Sequence, residues 1–192
     1  MPSPQRVLIG NERLAYDVRD RVPDAPGGFE VRDAGQVEHL TIHHDAAHFR
    51  GRSRTISVEL RRLELVFRFH RINNGWPGIS YHFYVFPSGR IYYTGDWATI
   101  RYQAAGEDNP NTPLVISAHN EHGIGICLAG NFQALPPTAK QLQATARLVA
   151  NLRFLFSNAD LPVLGHRDEA DAPQYATACP GNTWEQWKDA VS

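Results

Sequence analysis

Nine histidines in 192 residues is a high density for the side chain that titrates near neutral pH and most often ligates metal. Three positions stand out as candidate ligands. His43 closes the run His39-Leu40-Thr41-Ile42-His43, His166 lies in Leu164-Gly165-His166-Arg167-Asp168, and Cys179 lies in Ala178-Cys179-Pro180-Gly181. Two imidazoles and one thiolate make three ligands for a tetrahedral zinc ion. They leave a fourth position for water, which is the open arrangement of a catalytic site; a closed structural site would have a fourth protein ligand. Each residue also has a plainer reading, because a strand-end histidine can be an ordinary satisfied polar group and a cysteine is often core packing. Cys127, set among apolar residues, fits packing. Cys179, followed by Pro-Gly, fits a loop. More than a hundred residues separate His43 from His166, so spacing alone does not unite them.

The elements that must carry these residues follow from periodicity. Residues 39–43 alternate like a strand entering a core. Ile56, Leu60, Leu63 and Phe67 repeat at helical spacing, predicting a helix over 54–70 that ends in the turn Asn73-Asn74-Gly75-Trp76-Pro77-Gly78. Ile79 to Phe86, Pro87-Ser88-Gly89 and Arg90 to Thr94 read as a hairpin. Gly123 to Gly130 reads as a buried strand whose glycines admit a close neighbour. Thr138 with Gln141 three residues on is a capping box, and Leu142, Ala146, Val149, Leu152 and Phe156 would form the buried stripe of the helix behind it. Leu161–Leu164 reads as a short strand, and Trp184–Val191 as a closing helix. Residues 98–122, with Pro110, Pro113 and His119, read as a long polar loop of the kind that often carries function. Strands mixed with helices predict a single α/β domain, a mixed central sheet with helices on its faces. The boundaries read as an N-terminal extension over 1–37 and a catalytic domain over 38–192.

Composition excludes several classes. Nineteen basic and 20 acidic residues give a formal charge of −1, which argues against capture of nucleic acid or an anionic membrane by charge alone. Hydrophobic residues at 42% and charged residues at 20% exclude a disordered or fibrous chain. Two cysteines cannot make a disulfide scaffold. The N-terminal twenty residues lack the apolar core of a signal peptide, and no apolar stretch approaches the ~20 residues of a membrane span. The expectation is a chain made in the cytoplasm, with no membrane insertion, and monomeric by default.

Five motifs occur in one order: Thr41-Ile42-His43-His44, Gly78-Ile79-Ser80-Tyr81-His82-Phe83, Gly123-Ile124-Gly125-Ile126, Gly165-His166-Arg167-Asp168 and Ala178-Cys179-Pro180-Gly181. Together, over about residues 38–187, they resemble the zinc-dependent N-acetylmuramoyl-L-alanine amidases. These share the type 2 amidase fold with phage endolysins of the amidase kind and with peptidoglycan recognition proteins. The resemblance implies one catalytic Zn2+ on His43, His166 and Cys179. It implies hydrolysis of the amide between N-acetylmuramic acid and L-alanine in bacterial peptidoglycan, with Tyr81 beside the metal site and Thr177 as a further catalytic contact. His119 and Asn120 fall near the family's substrate side, and Asp168 would be an outer partner of the ligands or a structural anchor. His44, next along the strand, should point away from the site.

This chain departs from the family in the spacer from His166 to Cys179, which is several residues longer than usual and predicts a loop over Glu169–Tyr175 at the site mouth. Of the aromatics Trp76, Tyr84, Tyr92, Tyr93, Trp97 and Tyr102, most are expected in the core and some could stack on sugars. Two alternatives stand beside catalysis on the wall by an endolysin that acts after release. One is a recognition module that grips peptidoglycan without cutting; the presence of Cys179 and Tyr81 speaks against it. The other is an amidase of soluble muropeptides; its relatives carry a glutamate at the central strand where this chain has Ile126-Cys127-Leu128-Ala129.

Overall fold

A computed structural model describes residues 4–47, 55–104, 118–169 and 176–192. Among the described residues, seven strands form one sheet in the order β1-β2-β5-β4-β6-β3-β7: β1 (Arg6–Ile9), β2 (Glu12–Asp17), β3 (His39–His44), β4 (Phe83–Val85), β5 (Ile91–Tyr93), β6 (Gly123–Leu128) and β7 (Val163–Gly165). The half that carries the candidate ligands is parallel, with β3 between β6 and β7. The pairs β1–β2 and β4–β5 are antiparallel hairpins. Among the described residues there are four α-helices: α1 (Ile56–Arg68), α2 (Ala118–His122), α3 (Ala139–Leu155) and α4 (Trp184–Trp187).

Side chains alternate across the sheet, so its two faces differ. Leu40 and Ile42 of β3, Ile124, Ile126 and Leu128 of β6, and Phe83 and Val85 of β4 face a core completed by α3, Trp184 and Trp187. On the other face, Tyr84, Tyr92 and Cys127 pack under Leu60, Leu63 and Val66 of α1. That face also carries His39, Thr41 and His43, the residues that alternate with the apolar ones of β3. One strand thereby supplies a packed surface on one side and a row of reactive groups on the other.

Several boundaries differ from the sequence reading for physical reasons. Residues 6–17, within the segment expected as an extension, form β1 and β2, and β2 runs parallel to β5. The helix over 54–70 starts at Ile56 and continues past Arg68 as a π turn over Phe69–Asn73. The capping box holds: Thr138 Oγ1 accepts from Gln141 N at 3.2 Å. The expected stripe of α3 is largely inward, with Val149 and Leu152 in the core and Leu142 and Phe156 packed against it, and the buried face is wider than expected, taking in Gln141, Ala144, Thr145, Leu148 and Asn151 as well. Gln141 tolerates this because its amide donates to the carbonyls of Val85 and Ala129 at 3.2 and 3.0 Å. The closing helix is α4 followed by a 3-10 turn, Lys188–Ala190. Residues 98–122 are not loop throughout, since α2 lies within them. Pro110, Pro113 and residues 170–175 of the expected site-mouth loop lie outside the described residues. Among the described residues, no helix is long and apolar enough to cross a membrane.

Candidate metal centre

Parallel register brings the two histidines together. Ile42 pairs with Gly165, so the residues that follow them, His43 in β3 and His166 just past the end of β7, come to the same end of the sheet, with ring centroids 4.6 Å apart. Cys179 completes the group, and its ligating atom and those of both histidines all lie within 4.8 Å of one another. Arg167 holds the cysteine loop in place. Its backbone N–H donates to the Cys179 carbonyl at 2.8 Å, and its guanidinium donates to the carbonyls of Ala178 and Gly181 at 2.6 and 2.8 Å.

The donor chemistry fits zinc. Cys179 Sγ stands 3.8 Å from His43 Nδ1. Bonds of about 2.3 Å to sulfur and about 2.0–2.1 Å to nitrogen would set tetrahedral neighbours about 3.6 Å apart. On its other side His43 Nε2 lies 3.2 Å from Gln103 Oε1. An amide oxygen only accepts, so Nε2 carries the proton and Nδ1 is left to face Cys179. Burial, and next the neighbouring His166, hold the His43 pKa well below 6.5, and the neutral ring is the ligating form. Burial lifts the Cys179 thiol to about 12, against a donation from His44 N–H to Sγ at 3.4 Å that favours the thiolate. A cation here would reverse the balance, because a coordinating thiol is deprotonated outright.

The three side chains lie in the wall of a cleft of about 740 Å³. Tyr81 is beside them, its ring 5.1 Å from that of His43. Burial foremost, and then the nearby Cys127, Cys179 and Asp45, raise its pKa well above 10, so its hydroxyl keeps its proton. Thr177 also lines the cleft, though its hydroxyl accepts from the backbone N–H of Cys179 at 3.1 Å. Of the six aromatics, Trp76 and Tyr102 line the cleft; Tyr84, Tyr92 and Tyr93 are buried in the two cores and Trp97 packs against one of them.

The other candidates lie elsewhere. Asn120 is buried behind the site, where its side-chain oxygen accepts from Gln103 N and Ala104 N at 2.8 and 2.9 Å. It holds the segment that presents Gln103 and does not line the cleft. His119, on α2, faces His39 across a ring separation of 5.9 Å, again away from the cleft. Asp168 accepts from Gly165 N at 2.8 Å and Trp184 Nε1 at 2.9 Å, the anchor reading of that residue. His44 turns to the opposite face and accepts from Phe132 N.

Three residues that sequence reasoning did not single out matter to the site. Gln103 sits over Gly125, where a Cβ would come within 2.0 Å of its Oε1. The glycines of β6 had signalled a close neighbour, without saying which. Asp45 caps the end of β3: it is ion-paired with Arg62 at 2.9 Å and accepts from Tyr84 Oη at 2.5 Å and Gly130 N at 2.9 Å. His70 lines the cleft and accepts from Ser80 N at 3.1 Å.

The chain is similar in sequence and fold to known proteins. Over 117 residues the chain is 27% identical to a human N-acetylmuramoyl-L-alanine amidase, covering 60% of this chain and 17% of that protein. Over 114 residues it is 30% identical to peptidoglycan-recognition protein LB of Drosophila melanogaster, covering 59% of this chain and 42% of that one. The chain thus spans less than half the length of these relatives. The fold matches the solved structure of Drosophila peptidoglycan recognition protein LB with a TM-score of 0.67 at 23% identity, covering 93% of this chain and 94% of that one. It matches the endolysin amidase LysCS of Clostridium intestinale with a TM-score of 0.61 at 21% identity, covering 91% and 93%. The model of one family, described as N-acetylmuramoyl-L-alanine amidase, matches residues 33–182, and the chain belongs to that family.

Proposed function

We propose that this protein is a zinc-dependent amidase that cuts the bond between N-acetylmuramic acid and the L-alanine of the stem peptide in bacterial peptidoglycan. The observation that carries the reading is the meeting of His43, His166 and Cys179 within 4.8 Å in the wall of a cleft that also holds Tyr81. A recognition module needs the cleft but has no use for an open three-ligand set. Zinc bound there would supply a Lewis acid that activates water and polarises the scissile carbonyl. The chain's own groups do the rest. Gln103 holds His43 in one tautomer, and the His44 N–H supports the sulfur. Tyr81, protonated at all working pH values, donates to the oxygen that gains charge as the amide carbon becomes tetrahedral, or passes a proton to the leaving nitrogen. Trp76, Tyr102 and Phe69 give the cleft apolar walls suited to the faces of a sugar and the alanine methyl.

Solved structures of similar fold include peptidoglycan recognition protein LE in complex with tracheal cytotoxin, a monomeric diaminopimelic acid-type peptidoglycan. By analogy we infer a muramyl peptide as the ligand of this cleft, and an endolysin-like role, with the chain acting on the wall as a monomer. Metal removal is the test. Chelation should abolish release of stem peptide from purified peptidoglycan, and added zinc should restore it. Full activity in the chelated protein would contradict the reading.

A further inference from the structure

A second group of ligand-type side chains lies on the same face of β3, four residues before His43. His39 opens the strand, Glu169 ends the 3-10 turn that follows β7, and His119 lies on α2. Their ligating atoms also lie within 4.8 Å of one another. His39 Nε2 stands 3.3 Å from Glu169 Oε1, close to the about 3.4 Å expected of neighbouring ligands at bonds of about 2.0–2.2 Å around a tetrahedral ion. His39 is 8% exposed and Glu169 4%, yet among the described residues His39 Nε2 and Glu169 Oε2 make no hydrogen bond. Leaving such buried groups unsatisfied is costly. Thr41, the residue of β3 between the two clusters, donates its hydroxyl to Glu169 Oε1, which is how outer-shell groups orient a ligating carboxylate. Opposite them β6 has Gly123, where a Cβ would stand 2.7 Å from His39 Nε2, so the strand is cut back where a ligand set would need room.

We propose that His39, His119 and Glu169 form a second metal site, for a divalent first-row ion of the zinc type, distinct from the His43–His166–Cys179 centre. Two imidazoles and a carboxylate are an established donor set for zinc, and hard–borderline ligation of this kind differs measurably from a thiolate site. The competing arrangement is a buried ion pair of His39 with Glu169, which leaves Oε2 without a partner among the described residues. An ion satisfies both orphaned atoms and draws in His119. It also has a structural consequence: His166 and Glu169 are the two ends of one 3-10 turn. A second ion would fix that turn at Glu169 while His166 serves the first centre. The inference stands on this cluster alone and does not depend on the amidase reading.

The test is metal stoichiometry with cobalt as a spectroscopic probe, on the full chain stripped of metal. Two equivalents should bind, one with a thiolate-to-cobalt charge-transfer band and one with ligand-field bands only. Cys179→Ser should lose the charge-transfer band and keep one equivalent. Glu169→Gln and the half-exposed His119→Ala should each lose one equivalent and keep the band, with circular dichroism showing the fold intact. A wild type that binds a single equivalent with the band, and that neither variant changes, would overturn the site and leave an ion pair. A single equivalent without the band, lost in His119→Ala, would uphold this site and count against Cys179 as a ligand.

Discussion

Burial settles the protonation of the side chains around the cleft. Tyr81 keeps its proton because a phenolate beside two cysteines and Asp45 in a desolvated site is strongly disfavoured. Tyr81→Phe keeps the ring against His43 and removes only the hydroxyl. Turnover on peptidoglycan should fall by about 10²-fold or more while zinc remains at its wild-type stoichiometry; equal activity in the variant would remove Tyr81 from the chemistry. His70 shows the same physics in stability. Burial depresses its pKa from 6.5 to about 4, so the unfolded chain takes up a proton that the fold refuses. Stability is therefore full above pH 6.5 and is lost progressively as pH falls from 6.5 through about 4. His70→Asn keeps an acceptor for Ser80 N and removes the titration. The stability lost between pH 7 and pH 4 should shrink by ~1–3 kcal/mol, measured by denaturant titration at both values; an unchanged loss would contradict it. Residue types and motif order in the sequence pointed to His43, His166, Cys179 and Tyr81, which the fold brings to one cleft. Gln103 and Asn120 were not legible as the support of His43, because that role depends on how residues 103–104 lie over the glycines of β6.

At the scale of elements, the legible parts were those with one buried face or a local chemical signature. The capping box at Thr138 and the hairpin turned by Gly89 at φ +82° are local. Strand β3 is a two-faced ribbon with a clean period. The hairpin β1–β2 was readable and passed over: Gly10-Asn11 between two apolar-rich runs is a two-residue hairpin signal, masked by the charges Arg6, Glu12, Arg13 and Asp17 on an edge. The inward face of α3 is wider than its apolar stripe, because polar Gln141 and Thr145 also point inward, satisfied or enclosed by neighbours that only the tertiary fold brings. A clasp between elements was likewise invisible. Arg101 is fully buried and pairs with Asp24 at 2.6 Å, across from the segment after β2, and donates to the Ile79 carbonyl at 2.8 Å. Asp24→Ala should destabilise the protein by about 3 kcal/mol, since it leaves a buried guanidinium without its anion. Unfolding in urea checks this, and a change below about 1 kcal/mol would mean that the carbonyl bonds suffice.

For the whole molecule, the site is a product of topology. Residues more than a hundred positions apart meet because β3 lies between two parallel neighbours and the registers place His43 and His166 at one end. No periodicity encodes that meeting, and only the ordered resemblance of the five motifs anticipated it. The same sheet carries β1 and β2, from residues 6–17, as its far edge, so the half that bears His43 and that edge belong to one core. The most direct measurement of the central claim is mass spectrometry of purified peptidoglycan after incubation with the zinc-loaded protein, beside a chelated control. The account predicts free stem peptides bearing a new L-alanine amine, with intact glycan chains, only when zinc is present. Intact peptidoglycan that nonetheless retains the protein would contradict it and make the cleft a recognition site.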